Sequence, residues 1–461
     1  MKDRNLNRDS LDFANGKIGS LFRALFFPTL VGMIFNSALT LIDGIFVGQG
    51  VGAEGIAAVN IVAPIFIVST GIGLMLGIGA SVIASIRMSE DNVKAARIIM
   101  TQAFAAGLVI TVPVCILCMI FTGPAVYALG CSPALEENAA NYMLYLAPGL
   151  PFLFLQCAGM MLIRLDGSPK YAMGIQITAA VLNIVLDWYM IFPLGLGVAG
   201  AAAATSIACC IGGLMVLAYF IFFSGKLKFY RLKLSVTSLL LTLRNIWYMV
   251  KIGFATFLTE FAMSIMMLTG NYMFMSMLGE DGVAAYAIAC YLFPVVFSIS
   301  NAVAQSAQPI ISFNWGAHNL TRVKRAMNIS LMTAAVCGIV VTLGIWLCSG
   351  SIVRAFLSPD EPAWQLAVHG LPLFATCSVF FAVNIAYIGY CQSIENALES
   401  TVYTLLRGVV FLVLCFLLLP RIAGTAGLWL AIPAAELMTF IVIIIHYVWK
   451  HYIRRHPHAT A

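Results

Sequence analysis

Two aspartates sit inside long apolar runs, where an ionisable side chain is expensive and is a functional candidate by default. Asp43 lies in Leu41-Ile42-Asp43-Gly44, and Asp187 closes Leu182-Asn183-Ile184-Val185-Leu186-Asp187. Asn36, Thr40 and Asp43 follow one another at i, i+4 and i+7, which on a helix makes a polar stripe. Asn183 and Asp187 are at i, i+4 and share a helix face. Asp187 stands six residues before Pro193, and Thr205 six residues past Ala199. At about 1.5 Å per helical residue this puts Asp43, Asp187 and Thr205 at one level. Two carboxylates converging in a medium of low dielectric cannot both ionise cheaply. Such a pair can take up a proton on one side of a membrane and release it on the other. The same oxygens, with Asn183 and Thr205, are hard ligands suited to a small cation such as Na⁺. The competing reading is that Asp43 and Asp187 only cap or hydrogen-bond nearby backbone.

Two further acids lie in apolar surroundings. Glu260, in Thr259-Glu260-Phe261, reads as a cavity-facing group for a cationic substrate or as a buried hydrogen-bonded glutamate. Glu436, in Pro433-Ala434-Ala435-Glu436, reads first as structural, with a functional role as the alternative.

The elements that must position these groups are membrane helices. Of 461 residues, 61% are hydrophobic and 10% charged, against roughly 25% charged in a soluble domain. Apolar runs of about 20 residues, enough to cross the hydrocarbon core, recur throughout. Spans are expected near 20–48, 56–85, 95–122, 138–163, 170–193 and 198–224, then near 245–278, 283–312, 324–348, 364–391, 401–420 and 425–449. The net charge of +6 is not spread as a nucleic-acid surface would be. Of 25 basic residues, all but Arg354 and Arg421 fall on one side of the expected membrane. That side holds Lys2, Arg4, Arg8, the loop residues Arg87, Arg164, Lys226 and Arg322, and Arg407 near the start of the eleventh span. The positive-inside rule then makes both termini cytoplasmic and the number of spans even. The expected location is the inner membrane. The polar start and the long first apolar run do not read as a cleavable signal.

An internal repeat organises the spans. Gly55-Ile56-Ala57-Ala58-Val59 is echoed 227 residues later by Gly282-Val283-Ala284-Ala285-Tyr286. Pro193 with Ala199-Gly200 is echoed at the same offset by Pro420 with Ala426-Gly427, and Gly149-Leu150-Pro151 finds a partner, at a slightly shorter offset, in Gly370-Leu371-Pro372. The expected halves are 1–225 and 226–461. Six spans each insert them in the same orientation, the arrangement of transporters whose halves are related by an axis along the membrane normal. The repeat also serves as a control on the acids. At the 227-residue offset Asn183, Asp187 and Thr205 meet Val410, Leu414 and Ile432, and with one residue gapped Asp43 meets Asn271. The scaffold repeats and the carboxylates do not, which marks a specialised site in the first half.

Other signals are bland. Gly71, Gly73, Gly77 and Gly79 fall mid-span, where small residues permit close helix packing, and no GxxxxGK[ST] is present to bind ATP. The 12 cysteines, the Cys115/Cys118 pair included, read as small core residues. No metal-ligand spacing is found among the six histidines.

Several segments resemble the multidrug and toxic compound extrusion (MATE) family. They are Phe27-Pro28 with Leu41-Ile42-Asp43-Gly44-Ile45-Phe46-Val47-Gly48, the Gly55 and Leu182 segments above, Gln308-Pro309-Ile310 with Asn314-Trp315-Gly316-Ala317, and Leu428-Trp429-Leu430-Ala431-Ile432-Pro433. The resemblance is strongest to its DinF-like and MepA-like branches. It implies an all-α membrane protein of twelve helices in two six-helix lobes around a V-shaped cleft, and drug efflux driven by H⁺ or Na⁺. It also implies a first-lobe cation site at Asp43, Asn183, Asp187 and Thr205, completed by Tyr142, with Tyr145 as a competing match. The NorM-like branch places an acid on helix ten, where this chain has only Asn384, and Glu260 falls about one turn early for that branch's helix-seven acid. These departures tilt the coupling toward protons.

The expectation is therefore a transporter, not an enzyme, exchanging cationic or amphipathic organic molecules for H⁺ or Na⁺. Substrate contacts are expected from Asn36, Thr40, Glu260 and Asn271. No cofactor beyond the coupling ion, no metal and no nucleic acid are expected, and a monomer in the lipid bilayer suffices because one chain holds both halves. A lipid or lipid-linked oligosaccharide flippase of the same superfamily is the alternative. A membrane enzyme with an aspartate pair lacks a nucleophile–base pairing to support it.

Overall fold

A computed structural model describes residues 11–133, 135–233 and 235–455; Lys2, Arg4 and Arg8 lie outside it. All regular structure among the described residues is helical. Six long helices come first, with a short helix, Thr122–Ala128, after the third: α1 (Ile18–Gly50), α2 (Ala53–Ser89), α3 (Val93–Ile120), α4 (Glu136–Leu165), α5 (Pro169–Ile191) and α6 (Gly197–Phe223). The continuous run Val236–Gly316 breaks at Gly279 into α7 (236–278) and α8 (280–316). Then come α9 (Leu320–Arg354) and α10 (Pro362–Ser393). A last run from Ala397 to Arg455 breaks at Gly424 into α11 (397–423) and α12 (425–455). Among the described residues, twelve helices long and apolar enough to span a membrane result, as expected.

The repeat is written into the backbone as well as the sequence. Gly52 at the start of α2 has φ 86°, and Gly279 at the start of α8, 227 residues on, has φ 66°. Gly197 at the start of α6 and Gly424 at the start of α12 both have φ 57°. A side chain at any of the four would be strained in this left-handed region, so glycine is needed to turn the chain back into lipid. The glycine of each Gly-Leu-Pro segment likewise lets α4 approach α6 and α10 approach α12. A Cβ on Gly149 would lie 2.8 Å from Ser206 Cα, and one on Gly370 would fall in the Trp429 ring.

Large apolar side chains face outward over most of the length of the helices, among them Val109, Leu214, Phe222, Met332 and Leu347. An apolar surface of that extent is stable only in lipid.

Packing divides the chain into two compact units. The first takes the described chain through Phe257, with Gln305–Ala326 and Gln392–Ala397; the second takes Leu258–Ala304, Met327–Cys391 and the described chain from Leu398. Packing and repeat thus cut the chain differently, because the ends of α7, α8 and α10 and the first turns of α9 join the first unit. There they form a tight seal. Gly79 of α2 lies on the α7 backbone, where a Cβ would come 2.7 Å from the Met249 carbonyl carbon. Gly253 of α7 lies on α2, where a Cβ would come 2.6 Å from the Met75 carbonyl carbon and 2.8 Å from its Cα. Ser81 Oγ donates to Gln308 Oε1 at 3.0 Å. These two residues are 227 apart and so are equivalent in the repeat. Ser85 Oγ donates to the Pro309 carbonyl at 3.4 Å, and Arg164 Nη1 donates to Gln305 Oε1 at 2.7 Å.

Two of the arginines expected on the exposed basic side are buried. Arg164 is 2% exposed in the last turn of α4, and Arg407 is 4% exposed on α11. The apolar runs around them disguised which face of the helix each would occupy. Next to Arg164, Asp166 anchors the chain leaving α6. It accepts the backbone N–H groups of Gly225, Lys226 and Leu227 at 2.6, 2.8 and 2.9 Å and the Tyr219 hydroxyl at 2.8 Å.

Candidate functional site

The buried face of α5 is a helical stripe. Ala172, Ile175, Gln176, Ala179, Ala180, Asn183, Asp187 and Ile191 recur at three- and four-residue steps. At the basic end this stripe is mainly small and apolar, and a close approach follows: a Cβ on Gly32 of α1 would sit 3.0 Å from the Gln176 amide carbon. Two turns on, the stripe carries Asn183 and Asp187, which helical spacing turns inward with the rest. Asp187 is 0% and Asn183 2% exposed.

Three neighbouring helices close on this point. Asn183 Nδ2 donates to Thr205 Oγ1 of α6 at 3.2 Å. Asp43 of α1 comes within hydrogen-bonding reach of Asp187. The buried Tyr142 of α4 is an electrostatic neighbour of both carboxylates. Tyr145, the competing match, is 48% exposed. Asp43, Asn183, Asp187, Thr205 and Tyr142 therefore form one cluster inside the first unit.

Its chemistry follows from what its oxygens lack. Asp43 Oδ1 and both carboxylate oxygens of Asp187 are buried without a hydrogen-bond donor among the described residues. A buried acceptor left unpaired is costly, and a buried charge more so. Two adjacent carboxylates fully ionised would also repel each other, so a shared proton or a bound cation satisfies both. The donor set is all oxygen: two carboxylates, the Asn183 amide oxygen, the Thr205 hydroxyl and the Tyr142 hydroxyl. It fits a proton and it fits a hard cation.

Asn36 and Thr40 are exposed on α1, and Thr40 Oγ1 turns back to the Asn36 carbonyl at 3.2 Å. Glu260 of α7 is half-buried in the second unit, with no ion pair among the described residues, and Asn271, a further three turns along, is exposed.

One buried polar group was not foreseen as a group. In the second unit Arg407, Glu436 and Asn384, from α11, α12 and α10, meet in the core. Glu436 and Asn384 were read separately and Arg407 was assigned to the basic surface. The repeat held a usable signal, since at the 227-residue offset Arg407 and Glu436 face the small residues Ala180 and Cys209.

Comparison with known proteins agrees with this architecture. The MatE family model matches residues 28–189 and 255–417, one match in each half. The chain is 24% identical over 423 residues to the multidrug export protein MepA of Staphylococcus saprophyticus, covering 92% of each. It superposes with a TM-score of 0.86 on an outward-facing multidrug resistance MATE transporter of the MOP superfamily, at 22% identity and covering 93% of this chain and 95% of that one. A MOP superfamily transporter from Pyrococcus furiosus, described as having a binding pocket of reversed polarity, superposes with a TM-score of 0.87 at 21% identity, covering 98% and 99%. Those structures share the fold. The chain belongs to the MatE family and is a multi-pass membrane transporter, not an enzyme.

Proposed function

We propose that this transporter exports cationic or amphipathic organic compounds by exchange for a cation, with the Asp43–Asp187 cluster as the site where the cation binds. The observation that carries the reading is the pair of adjacent carboxylates with three buried oxygens lacking donors. The proton is the preferred ion, because one proton shared between the two carboxyls satisfies both at once. Na⁺ remains the rival for the same oxygens. Asn183 and Thr205, already bonded to each other, hold the α5–α6 wall, and Tyr142 presents a hydroxyl to the pair. The MepA relatives are multidrug export proteins by name, which favours organic cargo over lipid.

The basic end of the helices is taken as cytoplasmic, and the repeats 1–225 and 226–461 as the bodies that rock. In the sequence of events, a proton entering from outside neutralises the Asp43–Asp187 pair and lets α1 shift. Cargo then leaves, the seal at α2, α7 and α8 opens, and the proton departs inward as new cargo binds. Asn36 and Thr40 on α1, with Glu260 and Asn271 on α7, are the proposed cargo contacts.

The test is uptake of a fluorescent cationic dye into inverted vesicles under a pH gradient or a Na⁺ gradient imposed separately. Uptake driven by the pH gradient alone is the expected result. Uptake driven only by Na⁺ would change the ion. No uptake under either, with headgroup-dependent lipid scrambling by the purified protein, would replace this reading with a flippase.

A further inference from the structure

The buried group in the second unit has the geometry of a ligand site rather than a tie between helices. Arg407 and Glu436 are 4% and 5% exposed, yet they touch through a single contact, Nη1 to Oε1 at 3.4 Å. A buried ion pair that serves only to stabilise needs close, preferably two-pronged geometry and every remaining polar atom satisfied. Here Arg407 Nε and Asn384 Oδ1 have no partner among the described residues. Asn384 Nδ2 donates to Glu436 Oε2 at 2.8 Å and to its carbonyl at 2.9 Å. That fixes one carboxylate oxygen and leaves Oε1 facing the guanidinium. The guanidinium lies over the Phe381 ring, 4.5 Å from its centre. Arg407 is carried on a π-helical turn, Leu406–Val410, a local irregularity that occurs frequently at functional sites.

Beside the pair is a cavity of about 20 Å³, lined by Met263, Met266, Phe293 and Phe381 and reaching both charged residues. It admits roughly one water molecule and no organic cargo. Ile432 also lines it, and Ile432 is the repeat equivalent of Thr205. The group thus occupies, in the second repeat, the helix pair that holds the aspartate site in the first, one to two turns nearer the basic end. The adjacent guanidinium repels any metal cation. A proton, which adds to the carboxyl oxygen itself, is the one cation that can bind there.

We propose that Glu436 is a second proton-binding carboxyl, with Arg407 as its resident counter-ion and Asn384 as the residue that orients it. Protonation forms an O–H bond at Oε1, breaks the Arg407 contact and leaves the guanidinium uncompensated beside the water-sized cavity. The titratable and charged groups facing Glu436 are the Arg407 guanidinium from α11 and the Cys377 thiol from α10, while α7 and α8 line the cavity with alanine, methionine and phenylalanine. The place of this site in transport rests on the cation-exchange reading above; its proton occupancy does not.

The experiment is infrared difference spectroscopy of the full chain in nanodiscs as pH is stepped, read at the deuterium-sensitive C=O stretch of protonated carboxyls. One titrating band is expected to vanish in Glu436→Gln and to persist in Asp187→Asn. Because Glu436→Gln leaves a buried cation, Arg407→Met/Glu436→Gln, which buries no charge, is measured beside it and is expected to lose the same band. In proteoliposomes this double variant is expected to show a less steep dependence of dye exchange on pH. A carboxyl signal identical in wild type and both variants would overturn the proposal, as would wild-type pH dependence in the double variant. Failure of dye exchange in the wild type would sink the exchange reading while leaving the spectroscopic result to stand.

Discussion

Replacing Gly253 by alanine puts a methyl group where α2 and α7 touch backbone to backbone. The new carbon would lie 2.6 Å from the Met75 carbonyl carbon and 2.8 Å from its Cα. Neither atom can rotate away as a side chain could, so the helices must part by about 1 Å to reach ordinary contact. Overpacking of this kind costs about 1–3 kcal/mol. The strain exists only while the seal is closed, so it lowers the stability of the closed state relative to an open one. A shift of ~2 kcal/mol raises the open population by roughly 30-fold. The assay is alkylation of Ser81→Cys, in a protein otherwise free of cysteine, by a membrane-impermeant maleimide applied to the basic side of inverted vesicles. Ser81 is fully buried in the seal, so labelling reports opening. Gly253→Ala is expected to accelerate labelling by one to two orders of magnitude (about 10–100-fold). Gly174→Ala, whose Cβ meets nothing within 4 Å, is expected to leave the rate unchanged. Equal labelling in Gly253→Ala and its parent, with both proteins folded, would refute the idea that this contact is a closed gate.

Other perturbations follow from the same packing. Asp166→Ala removes the acceptor of three backbone N–H groups and a tyrosine hydroxyl; a loss of about 2–4 kcal/mol is expected in thermal unfolding, and a change below measurement error would deny its anchoring role. Arg164 is a buried cation with no ion-pair partner among the described residues. Arg164→Met should therefore leave thermal stability equal or higher, and a large drop would show that the Gln305 bond outweighs the desolvation of the charge. Arg407→Met alone removes the Glu436 counter-ion, so its stability should become pH-dependent. An ionised carboxylate stranded in the core costs roughly 3–5 kcal/mol at high pH and protonation relieves that loss as the pH falls, whereas the Arg407→Met/Glu436→Gln pair should melt without that pH dependence.

Much of the architecture was legible because lipid imposes it. Apolar runs marked the membrane-spanning helices, and the 227-residue repeat paired the segments beside which the left-handed glycines Gly279 and Gly424 lie, although the sequence did not single out those glycines. The first-half cluster was legible for a related reason. Asp43, Asn183, Asp187 and Thr205 stand out against an apolar background, and the second repeat supplies Val410, Leu414 and Ile432 at the last three positions. What sequence could not decide was which way a side chain points on a helix apolar all round. Tyr142 and Tyr145 are three residues apart, and only packing showed the first buried and the second exposed. Arg407 looked like a surface charge because positive residues cluster at helix ends, and its partner lies 29 residues away on the next helix. The α2–α7 seal depends on glycines whose value comes from a second backbone, which no local pattern reports.

The central claim is that the Asp43–Asp187 pair binds the exchanged cation. It is tested most directly by counterflow in proteoliposomes, with dye movement and internal pH recorded together for wild type, Asp43→Asn and Asp187→Asn reconstituted at equal amounts. The account predicts that each asparagine variant still binds dye but neither moves it uphill against a proton gradient nor moves protons in return. Wild-type dye export with wild-type proton movement in either variant would contradict it.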